Sequence, residues 1–353
     1  MGANFTRRAT GTLIIPVTVF VALTALCSIN GVSLFNTDDS LLLLTRGVAT
    51  TMLTAMALAI NLNSGRFDFS LGSMATLSSV IGATVALNTG GGIVVMAAVT
   101  VGSGVLLGVF AGLVYVRLGI SPMVCSLGIT LLYEGVSFAI SGGANVSFLL
   151  DTGLTSFSKS PLNMLLVIVA GLAVVFVIFD RSRFGYDYRS LITGQAAAVA
   201  AGTNERRNAI GCYAVSGGLM SVVGLIIASQ MGYIEAGKLN FGSIGVMFTA
   251  FLPMFIGGFI GRFSNDKLGY LLGAFCTTLI GLAFAALRLT STAQSIANAL
   301  LLVGFLAYLS NEDRLKRAWR RLAGPPRGTP GPAAPSSPAK PAEVPAVTGA
   351  SAS

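Results

Sequence analysis

Two carboxylates stand out in this sequence because of what surrounds them. Asp68 lies in the stretch NSGRFDFSLGS (63–73), between two long apolar runs, with Arg66 just before it and Ser70 just after. Glu134 lies inside a third apolar run, 122–140. A carboxylate placed among apolar residues of a membrane helix is costly, and it faces protein, a watery path or a proton relay. Glu134 therefore reads either as a structural hydrogen bond to a neighbouring helix or as a pathway or proton site. Gly65 and Gly72 permit a sharp change of backbone direction, and Asp68 and Ser70 are of the type that satisfies the first amides of a helix. The stretch reads either as a capped turn or as a polar break beside a transport path. Enzyme chemistry has little to work with. There is no histidine, which removes the commonest general base and metal ligand. Cys27, Cys125, Cys212 and Cys276 form no CxxC pair, so neither a zinc site nor a disulfide framework is expected. The sequence points to no catalytic set, no cofactor and no metal. One near phosphate loop, GYIEAGKL (232–239), has Leu239 where Ser or Thr would hold magnesium, and reads as chance.

The elements that must position these groups are membrane helices. Of 353 residues, 54% are hydrophobic and only 10% charged, against roughly a quarter charged in soluble domains. Apolar runs near 20 residues match the hydrocarbon thickness. Ten spans are expected, at 11–29, 41–61, 69–88, 92–116, 122–140, 162–179, 210–230, 241–260, 268–287 and 290–309, with 61–69 partly re-entrant. The fold class is all-α, a polytopic transmembrane bundle. With the N-terminus inside, 18 of the 22 Lys and Arg fall on the cytoplasmic side. The net charge of +9 is therefore a topology signal rather than a sign of nucleic-acid binding, and both termini are expected to be cytoplasmic. Residues 1–310 read as one transmembrane domain. Residues 311–353 read as a basic segment, with Trp319 at the inner membrane surface, and a disordered tail holding eight of the twelve prolines.

Residues 112–135 resemble residues 281–304, five spans later. An odd offset makes the copies cross the membrane in opposite directions, an inverted repeat common among transporters. The loop 180–208 carries five arginines, and QAAAVAAG (195–202) predicts a short helix. It reads as a basic inner loop or as a docking helix for a cytoplasmic partner.

In this order, these segments resemble the ribose/xylose/galactose-type permeases of bacterial ABC importers, in the larger family that includes branched-chain amino-acid permeases. The likeness covers residues 40–310 and rests on Gly65, Phe67, Asp68, Phe69, Ser70, Leu71 and Gly72; on Pro122, Ser126, Leu127 and Gly128, then Ser141, Gly142 and Gly143; on Arg183, Phe184 and Gly185, then Ala197, Ala198 and Gly202; and on Tyr213, Ser216, Gly217, Gly224 and 228–232. Departures fall at 192–194, at Ala196, beside Glu134, at 238–241 and at the partial glycine turn of Gly257, Gly258 and Gly261. They bear on the substrate more than on the fold. The resemblance implies a pathway-forming subunit in the bacterial inner membrane, for a sugar or similar polar solute. It implies as partners cytoplasmic ABC ATPases docking on Phe184, Gly185, Ala197, Ala198 and Gly202, an external solute-binding protein, and a second permease chain. Asp68, Ser70 and Glu134 are the expected pathway groups. Glycines and alanines of spans three, four and nine are the expected contacts between permease chains. An ion-coupled secondary transporter and a non-translocating subunit of a heterodimer remain as rival readings, with a membrane-embedded enzyme a more distant one.

Overall fold

The computed structural model describes residues 2–35, 39–237 and 239–311. Its helices are Gly2–Ile29 (α1), Ser40–Asn63 (α2), Leu71–Thr89 (α3), Gly92–Leu118 (α4), Pro122–Ser141 (α5), Thr152–Thr155 (α6), Pro161–Asp180 (α7), Arg183–Thr193 (α8), Gln195–Ala200 (α9), Glu205–Met231 (α10), Ile244–Phe248 (α11), Phe251–Gly261 (α12), Asp266–Ala286 (α13) and Ser291–Ser310 (α14). Strands Val146–Ser147 (β1) and Tyr233–Ile234 (β2) pair antiparallel. Among the described residues ten helical segments are long and apolar enough to cross a membrane, at the expected places. The eighth, Ile244–Gly261, is broken into α11 and α12 around Thr249 and Ala250. The seventh starts at Glu205, earlier than its apolar run, because Asn204 accepts a hydrogen bond from the Arg207 amide and caps the helix there. Apart from Asn311, the expected basic segment and tail, 311–353, lie outside the described residues, as does Lys238.

The bundle has two distinguishable ends. At the strand end, β1 follows α5 and β2 follows α10. At the basic end lie α8, α9 and the start of α10, with Arg181, Arg183, Arg189, Arg206 and Arg207. The spans of α2, α3, α10 and α11–α12 are each half buried or more. With no hydrophobic force between helices inside a bilayer, close packing needs small residues. Gly104, Gly108 and Gly112 of α4 supply it: a Cβ at any of them would lie 2.2–2.8 Å from Ser221, Tyr213 or Ile210 of α10. Gly269 and Gly273 of α13 seat in the same way on α12. Many glycines expected at a contact between permease chains are thus taken up by packing within one chain.

The repeat appears in the element limits. Helices α5 and α14 each begin and end 169 residues apart, and α4 and α13 end within one residue of that offset. The turns differ. Gly119 ends α4 in the left-handed region (φ 64), where a glycine has no Cβ to strain, and Pro122 opens α5 after the extended Ser121. In the second copy the left-handed position is held by Arg288 (φ 54).

Candidate functional site

Two helix starts meet inside the bundle. Gly72, in the first turn of α3, packs so closely on the backbone before α11 that a Cβ would lie 2.0 Å from the Ser243 carbonyl oxygen. Gly224 of α10 touches Ala75 and Ser79 of α3. Nineteen residues of α10 precede Gly224, about 28 Å of helix, so α3 begins inside the bundle and well short of its basic end.

Each start is held by a buried carboxylate. Asp68 is fully buried, and its Oδ1 accepts from the Ser70 amide (2.9 Å) and the Ser70 hydroxyl (2.6 Å), while its Oδ2 accepts from Asn61 Nδ2 (3.2 Å). Ser70 is the residue just before α3, yet its hydroxyl donates to Asp68 and accepts from none of the helix amides. The capping expected of Asp68 and Ser70 thus becomes a bond between them, with Ser73 donating to the Ser70 carbonyl. Glu134 of α5 is also buried. Its Oε2 accepts from the Phe241 amide (2.9 Å), and its Oε1 from the Ser243 amide (2.9 Å) and hydroxyl (2.6 Å). Asn240 and Phe241, just before Ser243, have φ of 60° and 67°, a strained region for residues with side chains. Glu134 holds that strained turn closed. The carboxylates thus play matching parts, each locking a serine at the start of a helix in the bundle interior.

Asp68, Ser70 and Glu134 are conspicuous in the sequence, but their hydrogen-bond partners are not. Ser243 before the apolar run 244–261 is a legible helix-start signal. Nothing in the sequence announces the left-handed backbone at 240–241 or the reach of Asn61 back to Asp68.

The same region is tied to the basic end. Arg66, 4% exposed, pairs with Glu205 at the first residue of α10 (3.6 Å). Tyr188 of α8 donates to the Ile60 carbonyl in the last turn of α2 (2.9 Å). Burial holds its phenol above the usual range, so the donor proton stays in place. Asn208 donates to the Phe184 carbonyl (3.2 Å). Asp180, at the end of α7, receives Lys267 of α13 and pairs with Arg189 of α8.

The expected docking residues divide into two groups. Phe184 stacks edge-on against Phe179 and fills the space beside Gly211. Gly185 abuts the Phe179 backbone, and Ala198 is buried. These three fasten the α8–α9 unit to the bundle. Ala197 faces solvent with Gln195, Ala196, Val199 and Ala200, and Gly202 turns the chain with φ 94. A six-residue helix with one side fastened and the other lined by small exposed residues can seat in a partner's cleft.

The sequence pattern of the family described as branched-chain amino acid transport system / permease component matches residues 40–310. The chain is 30% identical over 296 residues to the autoinducer 2 import system permease protein LsrC of Klebsiella pneumoniae, covering 82% of this chain and 80% of that one. It is 27% identical over 325 residues to LsrC of Yersinia pseudotuberculosis, covering 88% and 86%. No solved structure matches. The chain belongs to this permease family and is the multi-pass, inner-membrane component of an ABC importer.

Proposed function

We propose that this permease forms the membrane path for a sugar or related small polar solute, with all energy supplied by a separate ATPase. The relatives named as autoinducer 2 importers favour a sugar-like cargo over an amino acid. The observation that carries the mechanism is the pair of clamped helix starts, Ser70 held by Asp68 and Ser243 held by Glu134, connected to the basic-end helices through Arg66–Glu205 and Tyr188–Ile60. Discontinuous helices at bundle depth are where transporters place their paths. Asp68, Ser70 and Glu134 border that path as posts that fix its walls, with their polar atoms turned to the protein.

The basic end faces the cytoplasm, with both termini, in accord with the positive-inside rule. Cytoplasmic ABC ATPases seat the exposed side of α9 around Ala197 and Gly202, while Phe184, Gly185 and Ala198 pass the movement to α7 and α10. An external solute-binding protein meets the strand end. A second permease chain, identical or a sister, completes the importer in the bilayer. Residues 1–310 carry these roles.

The test is co-purification of the tagged chain in mild detergent. An ATPase subunit is expected to come with it, and Ala197→Glu with Ala200→Glu is expected to release that subunit while the permease stays in the membrane. Retention of the ATPase by the double variant would remove α9 as the docking element.

A further inference from the structure

A cavity that presents no charged side chain lies midway along the spans, and Phe248 of its wall packs edge-on against Phe69, the residue between Asp68 and Ser70. It has a volume of about 440 Å³ and lies between α2, the α11–α12 break, α13 and α14, within the roughly 300–1,000 Å³ of small-ligand sites. Its polar lining is Thr51 and Thr54 of α2, Thr249 at the break, Thr277 of α13, and Ser295 and Asn298 of α14. The α14 members of the wall recur at helical spacing, 295, 298, 299 and 302, so one face of that helix turns to the cavity.

The hydrogen-bonding state of these groups defines what they accept. The hydroxyls of Thr54, Thr249, Thr277 and Ser295 each donate to a carbonyl of the preceding turn, at Thr50, Val246, Gly273 and Ser291. Their protons are committed, and their lone pairs remain as acceptors. The Thr51 hydroxyl and the Asn298 amide bond to none of the described residues. The cavity therefore offers a set of acceptors, two adaptable groups and no charge. A zwitterionic amino acid would leave both its charges unpaired here, at high cost. A molecule carrying several O–H donors and no net charge would satisfy the wall. Polar side chains on a helix at this depth need a protein or water partner, and the α11–α12 break, irregular backbone at span depth, belongs where it lines a cavity.

We propose that this cavity is the solute-binding site of the permease, and that it takes a neutral polyhydroxylated molecule of monosaccharide size. The assignment rests on the import reading above and adds to it the site and the charge class.

Two readouts test it in the full chain assembled with its ATPase in native membranes. In the first, Ser295→Cys, Asn298→Cys and Leu300→Cys are labelled with a small hydrophilic maleimide, the unsubstituted chain with its four buried cysteines serving as blank. Leu300, 68% exposed, is absent from the cavity wall and lies on the other side of α14. Labelling at 295 and 298 is expected to run at least severalfold faster than at 300. It is expected to slow when D-ribose, D-xylose, D-galactose or synthetic autoinducer 2 is added, and not with leucine. In the second, Thr277→Val and Asn298→Leu are compared by uptake of whichever of these sugars protects. Each is expected to raise KM by about tenfold, the worth of one lost hydrogen bond, with membrane abundance unchanged. Labelling at 295 and 298 no faster than at 300, or no protection by any of the four sugars, overturns the site. Protection by leucine overturns the charge class. Sugar protection together with uptake that needs no ATP supports the site and sinks the import reading alone.

Discussion

Removing the Glu134 carboxylate should loosen the turn that starts α11 and with it the transport path. The carboxylate is 2% exposed and accepts three hydrogen bonds, from the Phe241 amide and from the Ser243 amide and hydroxyl. Bonds to an ionised acceptor contribute roughly 1.5–3 kcal/mol each. Taking the lower figure for all three, Glu134→Ala costs about 4.5 kcal/mol before any relaxation. That is a large share of the roughly 5–15 kcal/mol that holds a typical domain folded. The left-handed conformations of Asn240 and Phe241 work in the same direction, since each stores roughly 1–3 kcal/mol that the clamp offsets. The expected result is a local one, in which 240–243 lets go of α5 and the contact with Gly72 opens. Glu134→Gln is the graded control. Oε1 serves Ser243 twice and Oε2 serves Phe241 once, so a glutamine oxygen in the Oε1 position keeps the Ser243 pair and turns its amide against the Phe241 donor. About half the loss is expected. The assay is the thermal midpoint of the detergent-solubilised permease–ATPase complex, measured beside ATP-driven uptake in membranes of matched abundance. The predicted order in both is unsubstituted chain, then Gln, then Ala. An alanine variant with unchanged midpoint and uptake would refute the clamp, and a glutamine variant worse than alanine would refute the division of bonds between the two oxygens.

Other outcomes follow from the same contacts. Gly72→Ala places a methyl 2.0 Å from the Ser243 carbonyl oxygen, and overpacking of about 1–3 kcal/mol is expected to lower the thermal midpoint and uptake, with unaltered uptake counting against the close contact of the two helix starts. Arg66→Ala breaks the pair with Glu205 and is expected to leave ATPase co-purification intact while uptake per ATP hydrolysed falls, whereas an unchanged ratio would mean the pair carries no coupling. Asp180→Lys should lose uptake through its clash with Lys267 and Arg189, and Asp180→Lys combined with Lys267→Asp should recover part of it; failure of the double exchange to beat the single one would exclude a working ion pair there.

The membrane architecture was legible because it rests on composition. Long uncharged runs marked every span, but the start of α10 at Glu205 precedes the run expected from 210, because the Asn204 cap lies in polar sequence ahead of it. The two carboxylates could be singled out because a charge among apolar residues is conspicuous. Their partners could not, because the bonds join Asp68 to Asn61 across a reversal and Glu134 to Ser243 across 109 positions. The break in span eight was also hidden, since hydropathy is continuous through Thr249 and only the backbone interrupts the helix. Glycine usage misled in a physical way. A row such as Gly104, Gly108 and Gly112 marks close helix contact but does not say whose helix, and here it is α10 of the same chain. The polar face of α14 was written in the sequence as Ser295 and Asn298, yet it acquires meaning only once Thr51, Thr249 and Thr277 are seen opposite.

The central claim is that this chain moves a neutral solute only when an ATPase on its basic end hydrolyses ATP. It is tested most directly by reconstituting the co-purified permease–ATPase complex in sealed proteoliposomes, with the external binding protein outside and labelled D-ribose, D-xylose, D-galactose and autoinducer 2 offered in turn. Accumulation of at least one of them that requires ATP inside the vesicle, stops with a hydrolysis-dead ATPase and ignores an imposed proton gradient is the predicted result. Accumulation by the permease alone under a proton gradient, without ATP, would contradict it.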